Sequence, residues 1–123
     1  MCLIFEAFRE LLNLEYRLRR NNFAAIYDRV RKTSIGVRRP TSPDATEICR
    51  AVDAAVALYL YRVLCLQRSA ATVCLLRKHG FPARMVIGVQ QLPFAAHAWA
   101  ELDGAVINDK PYITEMYSVL ESC

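Results

Sequence analysis

The sequence lacks the patterns that mark disulfide-rich, secreted and membrane-spanning proteins. Its five cysteines are odd in number and form no CxxC pair, so no disulfide framework is indicated. Residues 1–5 are apolar, but Glu6, Arg9 and Glu10 interrupt the run before it could form a signal-peptide core or a membrane span. These absences predict a reducing, cytoplasmic setting with free thiols and no membrane association.

The chain also lacks strong charge imbalance, internal repeats and low-complexity tracts. Its 123 residues are 54% hydrophobic and 23% charged, which is typical of a single globular domain with an ordinary core. The net charge is only +4. The basic residues concentrate early, at Arg17, Arg19, Arg20, Arg29, Arg31, Lys32, Arg38 and Arg39. Such a region can hold an acidic peptide or nucleic acid, but we interpret it as a solvated helix face and a linker, and predict no nucleic-acid partner.

The first part of the chain is predicted to be helical. Apolar residues recur at helical spacing over residues 2–20, and residues 23–31 form a weaker helical segment. Residues 33–44 contain Gly36, Pro40 and Pro43 among polar residues and are predicted to form a linker or loop. We therefore divide the single domain into an N-terminal helical segment and linker over residues 1–40, and a core over residues 41–123.

Two further helices are predicted before the pattern changes. Asp44 or Thr46 can cap a helix whose apolar run over residues 48–64 is uniform enough for it to be largely buried. A second helix covers residues 66–78. It ends at Gly80, a residue suited to a left-handed C-cap, because Pro82 cannot continue it.

Strand patterns follow these helices. The apolar run of residues 84–89, the segment 95–102 and the segment 105–108 predict three strands, with a hairpin turn at Asp103-Gly104. Residues 112–121 are predicted to form a last short helix. The order of elements predicts an α+β fold.

Cys65 is the candidate nucleophile. It lies where one apolar helix ends and the next begins, and a helix N-terminus favours the thiolate and offers unpaired N–H groups to an oxyanion. His97 lies in a predicted strand and could accept the thiol proton, and Asp109 could orient the imidazole. The hypothesis is a Cys-His-Asp triad formed by Cys65, His97 and Asp109.

The hairpin register decides whether His97 can meet Asp109. A two-residue loop would pair Leu102 with Ala105 and direct His97 and Asp109 to opposite faces. A three-residue loop, with Gly104 in the left-handed position, pairs Glu101 with Ala105 and sets His97 opposite Asp109. We therefore predict a three-residue loop or an equivalent bulge.

Several motifs in order carry a resemblance to a known family. They are Cys65-Leu66-Gln67-Arg68-Ser69, then LLRKHGFPA at 75–83, VIGV at 86–89, PFAAHAWAE at 93–101, Asp103-Gly104 and Asn108-Asp109. Together they resemble the lasso peptide B2 family, the transglutaminase-like leader peptidases of bacterial lasso peptide biosynthesis. The resemblance covers residues 45–120 and extends less distinctly to residues 1–40.

The resemblance implies a papain-like α+β fold, with a nucleophile-bearing helix packed on a small antiparallel sheet. It implies a cysteine protease without a cofactor that removes the leader from a ribosomally made precursor peptide, with Cys65, His97 and Asp109 as catalytic residues. The implied partners are the precursor, a separate leader-recognition B1 protein and an ATP-dependent lasso cyclase. The short chain fits the split form of the family.

Three alternatives remain open at this point. One is a transglutaminase-type acyl transferase, in which an amine resolves the thioester, and another is a non-catalytic peptide-binding module of the same fold. A metal site at Cys65, His97 and Asp109 is conceivable by ligand type, but no fourth ligand is evident.

The remaining notable residues have structural interpretations. Cys49, Cys74 and Trp99 are predicted to lie in the core, and Cys2 and Cys123 to be exposed at the termini. Arg68, Ser69 and Glu101 are predicted to tie the catalytic helix or the sheet edge. His79 is predicted to lie at a helix C-terminus and to have a capping role there. Tyr59 and Tyr61 are candidates for a second oxyanion donor.

Overall fold

The chain folds into four main helices on one antiparallel sheet. The computed structural model describes residues 3–20, 22–59, 63–91, 94–110 and 112–123. The elements are α1 (Leu3–Arg20), α2 (Phe23–Lys32), α3 (Ala45–Leu58), α4 (Cys65–Lys78), β1 (Arg84–Gln91), β2 (Phe94–Leu102), β3 (Ala105–Val106), α5 (Ile113–Met116) and β4 (Ser118–Ser122). The strands are ordered β3-β2-β1-β4. The predicted α+β class, with a helix carrying Cys65 on a small antiparallel sheet, is confirmed.

Helix α4 is the centre of the core. It contacts α1, α2 and α3 on one side and β1 and β2 on the other. Its residues from Ser69 to Leu76 are all buried, because neighbours surround the helix on most of its circumference. The amphipathic helix α1 packs Ala7, Leu11 and Leu14 into the same core. No helix within the described ranges is long and apolar enough to cross a membrane.

A buried carboxylate joins three helices at the end of this core. Glu10 on α1 is 3% exposed and accepts two hydrogen bonds from Arg29 on α2, at 3.0 and 3.1 Å. Lys78 on α4 lies 3.2 Å from the same carboxylate. Burial opposes ionisation of Glu10, but these two cations outweigh it and hold its pKa below the usual value. The early basic residues are thus partly used inside the fold.

Helix α3 begins where the sequence predicts but ends earlier. Asp44 is its N-cap and accepts a hydrogen bond from the Glu47 N–H at 2.8 Å. The helix ends at Leu58 rather than at residue 64, and Tyr59 is extended. The Tyr59 ring packs against Phe8 of α1 with a centroid distance of 5.4 Å. This contact between distant residues has no signal in the local apolar run.

The predicted C-terminal helix over residues 112–121 is wrong. Only α5 is helical there, and the chain then becomes strand β4, which pairs with β1. Cys123 extends this pairing, since its N–H and C=O each bond to Met85 at 2.9 Å. The open edge of β1 therefore determines the conformation of this segment, and local propensity does not.

The predicted three-residue hairpin loop is also wrong. Leu102 pairs with Ala105, so the loop is the two-residue Asp103-Gly104. Both loop residues have positive φ, 54° for Asp103 and 80° for Gly104. This is the conformation of a type I′ turn, whose twist matches that of a hairpin and which Asp-Gly adopts readily.

Candidate active site

Cys65 is the first residue of α4, and the start of this helix is held by a buried glutamine. Gln67 is 3% exposed, and its Oε1 accepts a hydrogen bond from the Leu64 N–H at 2.9 Å. Its Nε2 donates to Glu15 of α1. The N–H groups of the first helical turn have no partners within the helix, so they are available beside the thiol.

Strand β3 is so short that side chains complete the adjoining edge of β2. Ala100 accepts a backbone bond from Ile107 at 3.0 Å, but its own N–H donates to the side-chain Oδ1 of Asn108 at 2.7 Å. One pair further along, the Ala98 carbonyl accepts from the Ser69 hydroxyl of α4 at 2.9 Å. Asn108 Nδ2 donates to the same Ser69 oxygen at 3.1 Å. Helix α4 is thereby tied to β2 beside His97.

The departure from the ladder at Asn108 brings Asp109 to His97. His97 Nε2 and Asp109 Oδ2 are 2.5 Å apart, and the other carboxylate oxygen accepts from the Lys110 N–H at 2.7 Å. The predicted contact is therefore present even though the predicted loop is wrong. The register counted from the Asp103-Gly104 turn holds only if the strand continues to residue 109, whereas β3 ends at Val106.

The electrostatics of Asp109 favour its charged form. Burial raises its pKa, but the His97 hydrogen bond, the Lys110 N–H and the positive charges of His97 and Arg68 outweigh burial. The net result is a pKa below the ordinary value of 3.8. A carboxylate only accepts hydrogen bonds, so His97 Nε2 carries the proton that is donated to Asp109. Nδ1 is the ring nitrogen that does not take part in this bond.

Aromatic packing fixes the His97 ring. Tyr117 stacks on it at a centroid distance of 5.6 Å, and Trp99 lies at 6.2 Å. Gly88 is the β1 residue opposite His97, and a Cβ there would lie 2.7 Å from the Trp99 ring. Trp99 is fully buried, as predicted for a core residue, and its Nε1 donates to Glu101 at 2.8 Å.

Cys65 and His97 line one open cavity. Its volume is about 620 Å³, and its other lining residues are Phe23, Val63, Leu64, Leu66, Ile87, Ala96 and Ala98. Within the part of the chain that the structure describes, no hydrogen bond joins the Cys65 thiol to the His97 ring. The structure thus brings His97 and Asp109 into direct contact and places Cys65 on the wall of the same cavity.

The other motif residues have structural contacts. Arg68 forms an ion pair with Asp53 of α3, with Nη2 and Oδ1 2.7 Å apart. Arg68 thus ties α4 to α3 and Ser69 ties α4 to β2, as predicted, whereas the bond that Glu101 accepts comes from Trp99 of the same strand. His79 is the C-cap of α4 and lies 3.3 Å from Glu6.

The other cysteines lie apart from the candidate site. Cys74 is buried, as predicted, and burial raises its pKa to about 11. Cys49 is half-buried rather than in the core, and Cys123 is half-buried rather than exposed, because it extends the sheet. The predictions for Cys2 and Tyr61 fall outside the described residues.

Sequence reasoning missed two contributors to the site. Tyr117 lies in the predicted C-terminal helix that does not form, and no local signal connects it with His97. The requirement for Gly88 is equally tertiary, although it lies in the quoted VIGV motif. Of the two candidate oxyanion donors, Tyr59 packs its ring on Phe8.

Comparison with known proteins assigns the family. The family described as the transglutaminase-like superfamily matches residues 8–122. The chain belongs to the transglutaminase-like superfamily. This transglutaminase-like chain is also 38% identical over 63 residues to the microcin J25-processing protein McjB of Escherichia coli. The match covers 51% of this chain and 30% of that relative, so the chain spans under a third of the curated relative's length.

The two matches confirm the resemblance to lasso peptide B2 proteins that the motifs indicated. The family match begins at residue 8, so it includes the N-terminal helices to which the motifs extend less distinctly. No solved structure matches the chain significantly.

Proposed function

We propose that this chain is a cysteine peptidase that cleaves the leader from a lasso peptide precursor. The observation that carries the proposal is the cavity lined by Cys65 and His97, with His97 hydrogen-bonded to Asp109. A thiol at a helix start, an imidazole and an orienting carboxylate are the parts that acyl transfer requires. The similarity to a protein named for processing microcin J25 supports a peptide as substrate.

In the proposed acylation step, the Cys65 sulfur attacks the carbonyl at the leader–core junction. His97 Nδ1 takes the thiol proton, since Nε2 is engaged by Asp109. The first-turn N–H groups of α4 stabilise the oxyanion. The C–N bond then breaks, His97 gives its proton to the departing core amine, and the leader remains bound to Cys65 as a thioester.

In the proposed deacylation step, water resolves the thioester. His97 takes a proton from the attacking water, and the tetrahedral intermediate expels the Cys65 sulfur, which regains its proton from His97. The products are a leader with a free carboxylate and a core peptide with a free α-amine. Asp109 holds the imidazole in one tautomer and stabilises its charged form in both steps.

The proposed partners follow from these products. A freed α-amine is what a macrolactam-forming cyclase needs, so we place the chain before an ATP-dependent lasso cyclase. We also propose that a separate B1 protein presents the leader. A reducing, cytoplasmic setting suits the four described cysteines, which are all free thiols.

The test is mass spectrometry of the precursor after incubation with the chain and a B1 protein. Wild type should give a leader ending in a free carboxylate and a core with a free amine. Cys65→Ala should abolish cleavage while its circular dichroism spectrum is unchanged, and Cys49→Ala is the matched control that should cleave normally.

The same measurement separates the alternatives. A leader–amine adduct would support transglutaminase-type transfer in place of hydrolysis. Precursor binding without any cleavage would support a peptide-binding module. Full cleavage by Cys65→Ala would exclude Cys65 as the nucleophile.

A further inference from the structure

The catalytic cavity continues past Cys65 along helix α2. A second cavity of about 340 Å³ shares Phe23, Leu66 and Ile87 with the first. Its other lining residues are Ala24, Tyr27, Asp28, Arg31 and Glu121. The two cavities form one groove, which we call the α2 groove, with an apolar end beside Cys65 and a polar end beside Asp28 and Arg31.

The length of the groove fits a short extended peptide. From Phe23 to Arg31, α2 advances about 12 Å at 1.5 Å per residue. An extended chain covers that distance in about four residues at 3.3 Å each. In the proposed reaction the scissile carbonyl lies between Cys65 and His97, so the residues joined to it must run out along adjoining surface.

Phe23 is the exposed apolar side chain at the centre of this groove. It is 58% exposed although it lines both cavities. The first turn of its helix is held by Asn22, whose Oδ1 accepts from the Ala24 N–H at 3.0 Å. An exposed aromatic ring at the junction of two cavities, on a capped helix start, is suited to an apolar side chain of a ligand.

We propose that Phe23, with Leu66 and Ile87, selects an apolar side chain within about two residues of the cleaved bond in an extended peptide. The proposal rests on the proposed peptidase function for the position of the cleaved bond. It gives α2 a role in substrate selection, to which the sequence motifs assign none.

The test uses a precursor library randomised at the two positions on each side of the leader–core junction, incubated with the chain and a B1 protein, with products sequenced by mass spectrometry. Wild type should enrich leucine-like over acidic residues about 10- to 100-fold at one flanking position. Phe23→Ala should lose most of that enrichment. Phe5→Ala is the matched control, because Phe5 is 67% exposed on α1 and lines neither cavity.

Capture of the same library on immobilised Cys65→Ala chain, with and without Phe23→Ala, separates the two proposals. Cleavage with unchanged selectivity in Phe23→Ala overturns the groove and leaves the peptidase. Phe23-dependent capture without cleavage by wild type supports the groove and overturns the peptidase. Neither cleavage nor Phe23-dependent capture overturns both.

A second inference concerns Asn108 and rests on the hydrogen bonds at the β2 edge. Its amide oxygen accepts from Ala100 while its amide nitrogen donates to Ser69, which in turn bonds to Ala98. One side chain thus joins α4, one turn after Cys65, to β2, beside His97. It also takes the chain out of the ladder just before Asp109.

We propose that Asn108 is a positioning residue that aligns Cys65, His97 and Asp109. The site needs an acceptor and a donor on one short side chain, which the asparagine amide supplies. Aspartate keeps the acceptor for Ala100 but has no amide donor for Ser69.

The test is the ¹H NMR signal of the His97 Nε2 proton, assigned by its absence in His97→Ala. Asn108→Ala and the isosteric Asn108→Asp should lose or broaden this signal. They should also lower kcat about 10- to 100-fold with little change in KM. Asn13→Ala is the control, since Asn13 is an exposed asparagine on α1 that bonds only to Arg17 among the described contacts. An unchanged signal and kcat in folded Asn108→Asp would overturn the inference.

Discussion

The start of α4, which carries Cys65, and the β2–β3 hairpin, which carries His97, are held by different kinds of contact. At the helix start, Gln67 bonds to Leu64 only three residues away, and longer-range contacts run from Gln67 to Glu15 on α1 and from Arg68 to Asp53 on α3. At the hairpin, bonds from the nearby Asn108 and Asp109 are joined by contacts from Ser69 and Tyr117, which lie far along the chain. A local hydrogen bond therefore helps to fix the nucleophile side of the cavity, whereas the imidazole side depends on packing against α4 and Tyr117.

The two sides of the cavity should therefore respond differently to substitutions. The helix start is held by the buried side chain of Gln67. The imidazole side depends on the close approach of the Gly88 backbone to aromatic rings, and on side-chain hydrogen bonds that replace backbone pairing beyond the end of β3. We expect the hairpin side to tolerate less change in volume, and the helix side to respond mainly to loss of hydrogen bonds.

The largest effect on stability is expected at Gly88. In Gly88→Ala the new methyl group would lie 2.7 Å from the Trp99 ring and 2.8 Å from Tyr117 Cβ. Such overpacking should reduce the free energy of unfolding by about 2–3 kcal/mol. Urea denaturation measures it, and Trp99→Phe should make the added methyl less costly. A Gly88→Ala variant as stable as wild type would show that close packing at Gly88 does not limit the volume of the hairpin side.

A smaller loss is expected at Gln67 on the helix side. Gln67→Ala leaves the Leu64 N–H and the Glu15 carboxylate without this partner, at a cost of about 1–2 kcal/mol in the free energy of unfolding. Gln67→Glu should also destabilise, because it opposes Glu15 with a like charge. Adding Glu15→Gln should restore much of the lost stability, as measured by urea denaturation. If it does not, the Gln67–Glu15 hydrogen bond does not hold the helix start.

Acid should weaken the hairpin side through Asp109. Because the folded-state pKa of Asp109 lies below 3.8, its contribution to stability is fully present above that pH. The contribution is lost as the pH falls through the lower folded value. Asp109→Asn should therefore be less stable than wild type at neutral pH, and the difference should shrink below pH 3.8. A difference that grows with acid would contradict this sign.

The smallest effect is expected for the exposed ion pair on the helix side. The Arg68 and Asp53 side chains are 39% and 54% exposed, so solvent screens their attraction. Arg68→Ala should change the free energy of unfolding by less than about 1 kcal/mol. A larger loss in thermal or urea unfolding would show that Arg68 supports α4 in another way.

The same contrast explains how much the sequence could predict. Asp44 as N-cap and the end of α4 before Gly80 and Pro82 are local signals, and the structure has them. The apolar runs on either side of Cys65 predict that it begins a helix, and the family resemblance indicates that His97 meets Asp109. These features depend on neighbours within a few residues or on a resemblance over many segments.

The remaining features depend on contacts that no local pattern encodes. The short β3 arises because Asn108 bonds to Ala100 through its side chain, so the register count from the turn fails. Strand β4 forms on the open edge of β1, and that pairing overrides the helical pattern of residues 112–121. The stacking of Tyr117 on His97 could not be predicted for the same reason, since Tyr117 leads directly into β4.

A double-mutant cycle on His97 and Asp109 tests whether Asp109 acts through His97 at the cavity that Cys65 lines. In precursor cleavage, His97→Ala should lower kcat/KM by about 10²–10⁴-fold. Adding Asp109→Ala should lower it little further, because the carboxylate then has no imidazole to orient. Losses that multiply in the double variant, or wild-type activity in Asp109→Ala alone, would contradict this role of Asp109.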